Sequence, residues 1–207
     1  MSFIPVQEIL YATIQGEGFY SGSVADFLRL YGCPVGCYFC DTGYAKGDSP
    51  PQFTTLNYEE IELDSNFVVI TGGEPFIHNK LPSLCRYLLK KRKFVTIETS
   101  GSFWKPIPEN VWITLSPKEH LNKKMKILPE IWKRADEVKM IYTKDDDINF
   151  YRDKYPNKLR KKILKYIQPE WDQSNINPDV MNNLLNYLRA NPEYKLSLQT
   201  HKLIGIP

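Results

Sequence analysis

Apolar, β-branched and aromatic residues gather into six short runs along the chain: Ala25 to Tyr31, Phe67 to Ile70, Phe94 to Glu98, Val111 to Leu115, Val138 to Tyr142 and Ile163 to Ile167. Continuous runs of this length read as strands buried on both faces, the form strands take in parallel sheets. From Lys80 to Lys91 the pattern changes, because Leu81, Leu84, Cys85, Leu88 and Leu89 recur at helical spacing. A second helix is predicted to start at Asn177 as N-cap, with Pro178 in the first helical position. Val180, Leu184, Leu185 and Leu188 form its apolar stripe, and Asn191-Pro192 marks its end. Alternating strands and helices predict an α/β fold, a parallel sheet with right-handed crossovers that is either open or curled into a partial barrel. The stretches 41–57 and 100–110 are too polar, or too rich in Gly and Pro, for long helices, so any barrel is trimmed. Residues 1–207 read as one domain. Lys90 to Lys93 and Lys158 to Lys162 are short basic runs of the kind that form solvated helix faces.

Charge alters this picture little. With 27 Lys and Arg against 24 Asp and Glu, the net charge of +3 gives no field that argues for nucleic acid or a membrane, so the expected partner is a small molecule. No apolar run approaches the roughly 20 residues that cross a bilayer. Met1 to Tyr11 lacks the charged start and long apolar centre of a signal peptide, so a cytoplasmic protein is expected.

The cysteines change it more. Three of four fall in Cys33-Pro-Val-Gly-Cys37-Tyr-Phe-Cys40, directly after the first predicted strand, with Gly32 and Gly36 loosening the turn. Such clustering is unlike a secreted disulfide framework and reads as metal binding. Soft thiolates select zinc or an iron-sulfur cluster, and a closed zinc site needs a fourth Cys or His. None lies nearby: Cys85 sits on a helical apolar stripe and His78 is far along the chain. Three ligands on a four-iron cluster leave one iron open to a chelating cosubstrate.

The CxxxCxxC spacing resembles the signature of the radical S-adenosylmethionine (SAM) superfamily, whose fold is an incomplete parallel (β/α)6-type barrel. Thr71-Gly-Gly-Glu-Pro75 resembles its GGEP motif, which implies that Gly73 and Glu74 hold the amino group of SAM. Across nearly the whole chain the sequence is similar to the 7-carboxy-7-deazaguanine synthase family of queuosine and 7-deazapurine biosynthesis. Ile14-Gln-Gly-Glu-Gly18 resembles that family's pterin-binding segment, which implies that Gln15, Gly16 and Glu17 contact the substrate. Gln and Glu suit an aminopyrimidinone edge, and glycines allow close backbone approach. The resemblance places Arg29 on the substrate carboxylate; by itself a strand arginine reads equally as half of an internal salt bridge with Asp26 or Glu17. It further implies magnesium on Thr42, Phe39 and Asp41 on the SAM side, Thr99 on substrate, and Ser100 and Gly101 near SAM. Ser116-Pro117-Lys118 resembles a segment that contacts the SAM ribose and carboxylate. Gln168-Pro169-Glu170-Trp171 resembles a QPxD-like adenine-side segment, with the acid displaced by one to Asp172. At the tail, Gln199-Thr-His-Lys202 and Pro207 resemble the family's last residues, implying that His201 and the Pro207 carboxylate line the pterin pocket. The apolar Leu203 to Pro207 stretch suits docking, and a tail that merely plugs the barrel is the competing reading.

The implied activity is that of a carbon-nitrogen lyase. A [4Fe-4S] cluster and SAM generate a radical that takes hydrogen from carbon six of 6-carboxy-5,6,7,8-tetrahydropterin, whose ring contracts to 7-carboxy-7-deazaguanine with loss of ammonia. SAM, magnesium, a flavodoxin- or ferredoxin-like electron donor and a homodimer belong to that expectation. Two alternatives stay open: a glycyl-radical-enzyme activase, and an iron-sulfur electron-transfer or metal-binding module.

Overall fold

The computed structural model describes residues 2–44, 51–159, 162–171 and 175–207, so Asp172 lies outside the described residues. Among the described residues nine strands form one sheet in the order β3-β1-β2-β4-β5-β6-β7-β8-β9. All six predicted strands are present, as β2 (Val24–Leu30), β4 (Phe67–Gly72), β5 (Phe94–Thr99), β6 (Trp112–Leu115), β7 (Glu137–Tyr142) and β8 (Leu164–Pro169). They pair in parallel, each on its successor. Their runs are continuous because both faces are covered: every residue of β7 is buried, as are Val68, Val69 and Ile70 of β4.

Three strands extend the sheet beyond the predicted six. β1 (Phe3–Ile14) runs antiparallel to β2, β3 (Thr54–Asn57) runs antiparallel to β1, and β9 (Lys195–Leu196) continues the parallel set beside β8. The sheet is therefore open, with short edge strands of four and two residues that offer little to a pairing partner.

The helices are α1 (Leu81–Lys90), α2 (Pro129–Arg134), α3 (Asp145–Lys154), α4 (Pro156–Leu159), α5 (Pro178–Ala190) and α6 (Thr200–Ile204). The stripe on α1 buries Leu81, Leu84, Cys85 and Leu88 against the sheet. Cys85 is wholly enclosed, so it is a core residue and no ligand. Asn177 caps α5 as expected, its side-chain oxygen accepting from the Asp179 amide at 2.8 Å. No described helix is long and apolar enough to cross a membrane.

At the amino ends of the strands, the loop between β1 and β2 packs against the sheet. Phe19 stacks on Trp112 with ring centroids 5.4 Å apart, and Tyr20 meets Phe67, Phe94 and Trp112 edge-on at 5.0 to 5.2 Å. This anchoring carries residues 15–18 up into the interior, toward the cleft at the opposite end.

Candidate active site

One cleft opens at the carboxyl ends of the strands, where α/β sheets place their ligands. Leu10, Arg29, Thr71, Thr99, Ser116, Lys139, Ile141 and Gln168, from seven different strands or their ends, share its lining.

Cys33, Cys37 and Cys40 are half-buried free thiols on one wall. Their loop is fixed to the GGEP turn by backbone: Gly73 N donates to Leu30 O at 2.8 Å, and Glu74 N donates to Gly32 O at 2.9 Å. A side chain at Gly73 would overlap the Gly32 carbonyl, so glycine is needed for the two loops to touch. Burial pushes the Cys33 thiol up to about 11 and raises that of Cys37, against which the Lys118 ammonium works. These are sulfurs that a metal would have to bind as thiolates. Among the described residues no group of three or more His, Cys, Asp or Glu side chains is arranged to hold a single ion.

Glu74 is buried behind this wall. One carboxylate oxygen accepts from Thr99 Oγ1 at 2.7 Å and Phe76 N at 3.1 Å, the other from Ser100 N at 2.8 Å and Ser100 Oγ at 2.6 Å. Four donors fill a carboxylate's acceptor capacity, so Glu74 organises the turn, and an amine could reach it only if the Ser100 hydroxyl rotated away. Beside it, half-buried Lys118 donates to Ser116 O at 2.8 Å and Ser116 Oγ at 2.6 Å, and burial lowers its pKa. Phe39, Ser116, Gln168, Pro169, Glu170 and Trp171 continue the lining, as do Asp41 and Thr42. Thr42 Oγ1 stands 3.2 Å from the Cys40 sulfur.

The opposite wall holds a cluster of charge. Lys139, 3% exposed, forms an ion pair with Glu17 and lies 3.7 Å from Glu98. Gln15 Nε2 donates to Glu98 at 3.2 Å and Gln199 Nε2 to Glu17 at 2.8 Å. Burial alone would raise the Glu17 pKa, but the adjacent ammonium and hydrogen bonds outweigh it and bring it down to about 2. Lys139 is correspondingly held protonated, the nearby carboxylates overcoming its own burial. The result is a charged, acceptor-rich surface with fixed orientation, suited to the amine and amide hydrogens of a small heterocycle.

The tail closes this wall. Thr200 donates through N and Oγ1 to Gly16 O, each at 3.1 Å, and a side chain on Gly16 would overlap the His201 ring. Lys202 spans the mouth to Asp41 at 2.7 Å, and Thr13 Oγ1 donates to Pro207 O at 2.9 Å.

Several expectations need correction. Arg29 lines the cleft, but its partner is Glu8 on β1 at 2.6 Å, neither Asp26 nor Glu17. Asp26 instead accepts from the amides of Ala12 and Ser65, and Glu17 belongs to Lys139. The tail docks through polar groups, while Leu203 and Ile204 are 54% and 63% exposed, so they plug nothing. Gly16, Gly101 and Pro117 stand just behind the lining: Gly101 packs on Leu115, Ile127 and Ile131, and Pro117 is buried. Glu98 and Gln199 stand in segments that resemble the family, but the resemblance gives neither a role of its own, and Lys139 belongs to no motif. The available signal for Lys139 was a lone charge inside an apolar strand, which is seldom buried without a partner.

The chain matches the family described as the radical SAM superfamily over residues 28–121. It is 33% identical to a 7-carboxy-7-deazaguanine synthase of Synechocystis, over all of both chains. It is 34% identical to one of Flavobacterium psychrophilum, over 99% of this chain and 93% of that protein. The crystal structure of QueE from Escherichia coli superposes with a TM-score of 0.80 at 28% identity, covering 95% of this chain and 93% of the other.

Proposed function

The chain belongs to the 7-carboxy-7-deazaguanine synthase family of radical SAM enzymes, and from that membership we propose that it converts 6-carboxy-5,6,7,8-tetrahydropterin to 7-carboxy-7-deazaguanine with loss of ammonia. The observation that carries the reading is the pairing, in one cleft, of three sulfurs and a polar wall that already holds its charges in place. Cys33, Cys37 and Cys40 would hold a [4Fe-4S] cluster, which together with SAM would supply the hydrogen-atom abstraction that starts the ring contraction.

The rest falls to the chain's own side chains. Gly73, Ser100, Ser116, Lys118 and the Gln168–Trp171 segment hold SAM by its methionine and nucleoside ends, with Glu74 fixing the turn that presents them. Gln15, Glu17 and His201 orient the pterin, and Thr99 borders it. Lys139 keeps Glu17 ionised, and therefore an acceptor, throughout the physiological pH range. Arg29 receives the substrate carboxylate by exchanging its exposed partner Glu8 for it. Thr42 offers a hard oxygen at the cleft wall for magnesium, with substrate oxygens and water completing the shell. The test is anaerobic turnover of the carboxypterin after cluster reconstitution, with the product identified by absorbance and mass. SAM cleavage without the deazapurine product would overturn the substrate assignment.

A further inference from the structure

We infer that the turn at residues 121–126 is the docking surface for an acidic one-electron carrier protein. The inference rests on the function proposed above, since only a cluster in the cysteine loop gives the carrier something to reduce by one electron.

Three basic runs punctuate the chain, and the fold separates them. Lys90 to Lys93 follows α1 and leads into β5, while Lys158 and Lys162 flank the approach to β8. Both therefore lie at the amino ends of the strands, away from the thiols. The third, Lys123-Lys124-Met125-Lys126, follows β6 and so lies at the carboxyl ends, on the rim of the cleft.

This third run is also built into the cysteine loop. Asn122 N donates to Lys118 O at 3.0 Å, its side-chain oxygen accepts from Lys124 N at 3.1 Å, and its side-chain nitrogen donates to Val35 O at 3.4 Å. Met125 N returns to Asn122 O at 2.8 Å, closing the turn. One asparagine thus pins the lysines to the loop that carries Cys33 and Cys37. Pro34 and Gly36 beside it are exposed, so the thiol loop reaches the surface at this point.

Charge complementarity selects the partner. Lys123, Lys124 and Lys126 are exposed, and among the described residues none forms an ion pair. Acidic groups at the same end of the molecule are engaged within the chain: Asp41 by Lys202, Asp145 by the Tyr142 hydroxyl, Asp147 by Thr143 and Lys144, and Glu170 by the Tyr38 hydroxyl. Asp146 is exposed near the start of α3. A free positive turn against the thiol loop would steer an acidic surface to the shortest path for one electron, from the reduced carrier to the cluster.

The test uses the reconstituted holoenzyme, a flavodoxin as the acidic carrier, and the triple variant Lys123→Glu, Lys124→Glu, Lys126→Glu. A control with the same change of charge, Lys90→Glu, Lys91→Glu, Arg92→Glu, alters the far end. Calorimetric binding of flavodoxin should weaken about tenfold at low salt in the rim variant, and its salt dependence should flatten. Turnover driven by subsaturating reduced flavodoxin should fall in parallel, while turnover driven by dithionite stays at the parental rate. Unchanged binding in the rim variant, or an equal loss in the control, overturns the inference. Failure of the parent to turn over with dithionite would sink the proposed function, and the binding comparison would still decide this inference.

Discussion

Along one wall of the cleft the three thiols come from eight consecutive residues, whereas the other wall gathers Gln15, Glu17, Glu98, Lys139 and Gln199 from four separate stretches of chain. The first wall is held by backbone hydrogen bonds, and burial suppresses the acidity of Cys33 and Cys37. The second wall satisfies its own charges, with Lys139 set between two carboxylates. One wall is thus completed by its guest and the other by the fold. A contiguous loop can afford little internal stabilisation because the cluster binding energy stands in for it, while a dispersed charge cluster has to be paired before any ligand arrives.

The sharpest break of this contrast is removal of a sulfur. Cys33→Ala, Cys37→Ala and Cys40→Ala should each lose iron and all detectable SAM cleavage while keeping near-parental denaturation midpoints before reconstitution. Cys85→Ala should keep iron and lose about 1–2 kcal/mol of stability through its small core cavity. Full SAM cleavage in any of the first three would end the cluster assignment.

On the other wall the expectation inverts, because the damage should be to folding first. Lys139→Met leaves Glu17 beside a second carboxylate without their cation, and should cost about 3–5 kcal/mol in denaturant unfolding. Adding Glu17→Gln should recover much of it. Since the Glu17 pKa is depressed from 4.5 to about 2, its contribution is present above the unfolded value and disappears as pH falls from about 4.5 toward 2. Lys139→Met should abolish that part of the acid sensitivity; an identical pH profile in mutant and parent would remove the ion pair from the account.

A smaller effect should follow from Gly16→Ala, which drives a methyl into the His201 ring and lifts the tail from its loop. We expect a loss of about 1–3 kcal/mol and weaker carboxypterin binding, with SAM affinity retained. Smallest of all, Thr42→Ala should blunt the dependence of turnover on magnesium by a few-fold without loss of iron, and equal metal responses in mutant and parent would rule out the ligand.

The same contrast explains what could be read in the sequence. The six parallel strands and the helices at Leu81 and Pro178 were legible because burial on both faces, helical spacing and an Asn-Pro cap act locally. The thiols and the GGEP turn were legible because their chemistry fits in a few residues. β1 was not, since bulges between Val6 and Glu8 and between Leu10 and Thr13 break its two-residue period, and Ala12 adopts a positive φ of 46°. Lys139 was hidden for another reason: its meaning depends on Glu17, 122 residues away, and no local pattern announces such a partner. The tail was half legible: it docks as its end suggested, but through the polar contacts of Gln199, Thr200, Lys202 and the Pro207 carbonyl group while Leu203 and Ile204 stay exposed.

The bond between Thr200 and Gly16 spans 184 residues. Joining points that far apart carries a large loop-closure entropy cost and raises contact order, so it belongs to the slow end of folding. During synthesis the cysteine loop, with β2 and β4 beside it, leaves the ribosome long before residues 199–202 exist. If the loop holds iron as proposed, metallation can therefore precede the wall proposed to read the pterin, and a nascent chain passes through a period in which it could hold iron yet has no means of recognising what the iron is for.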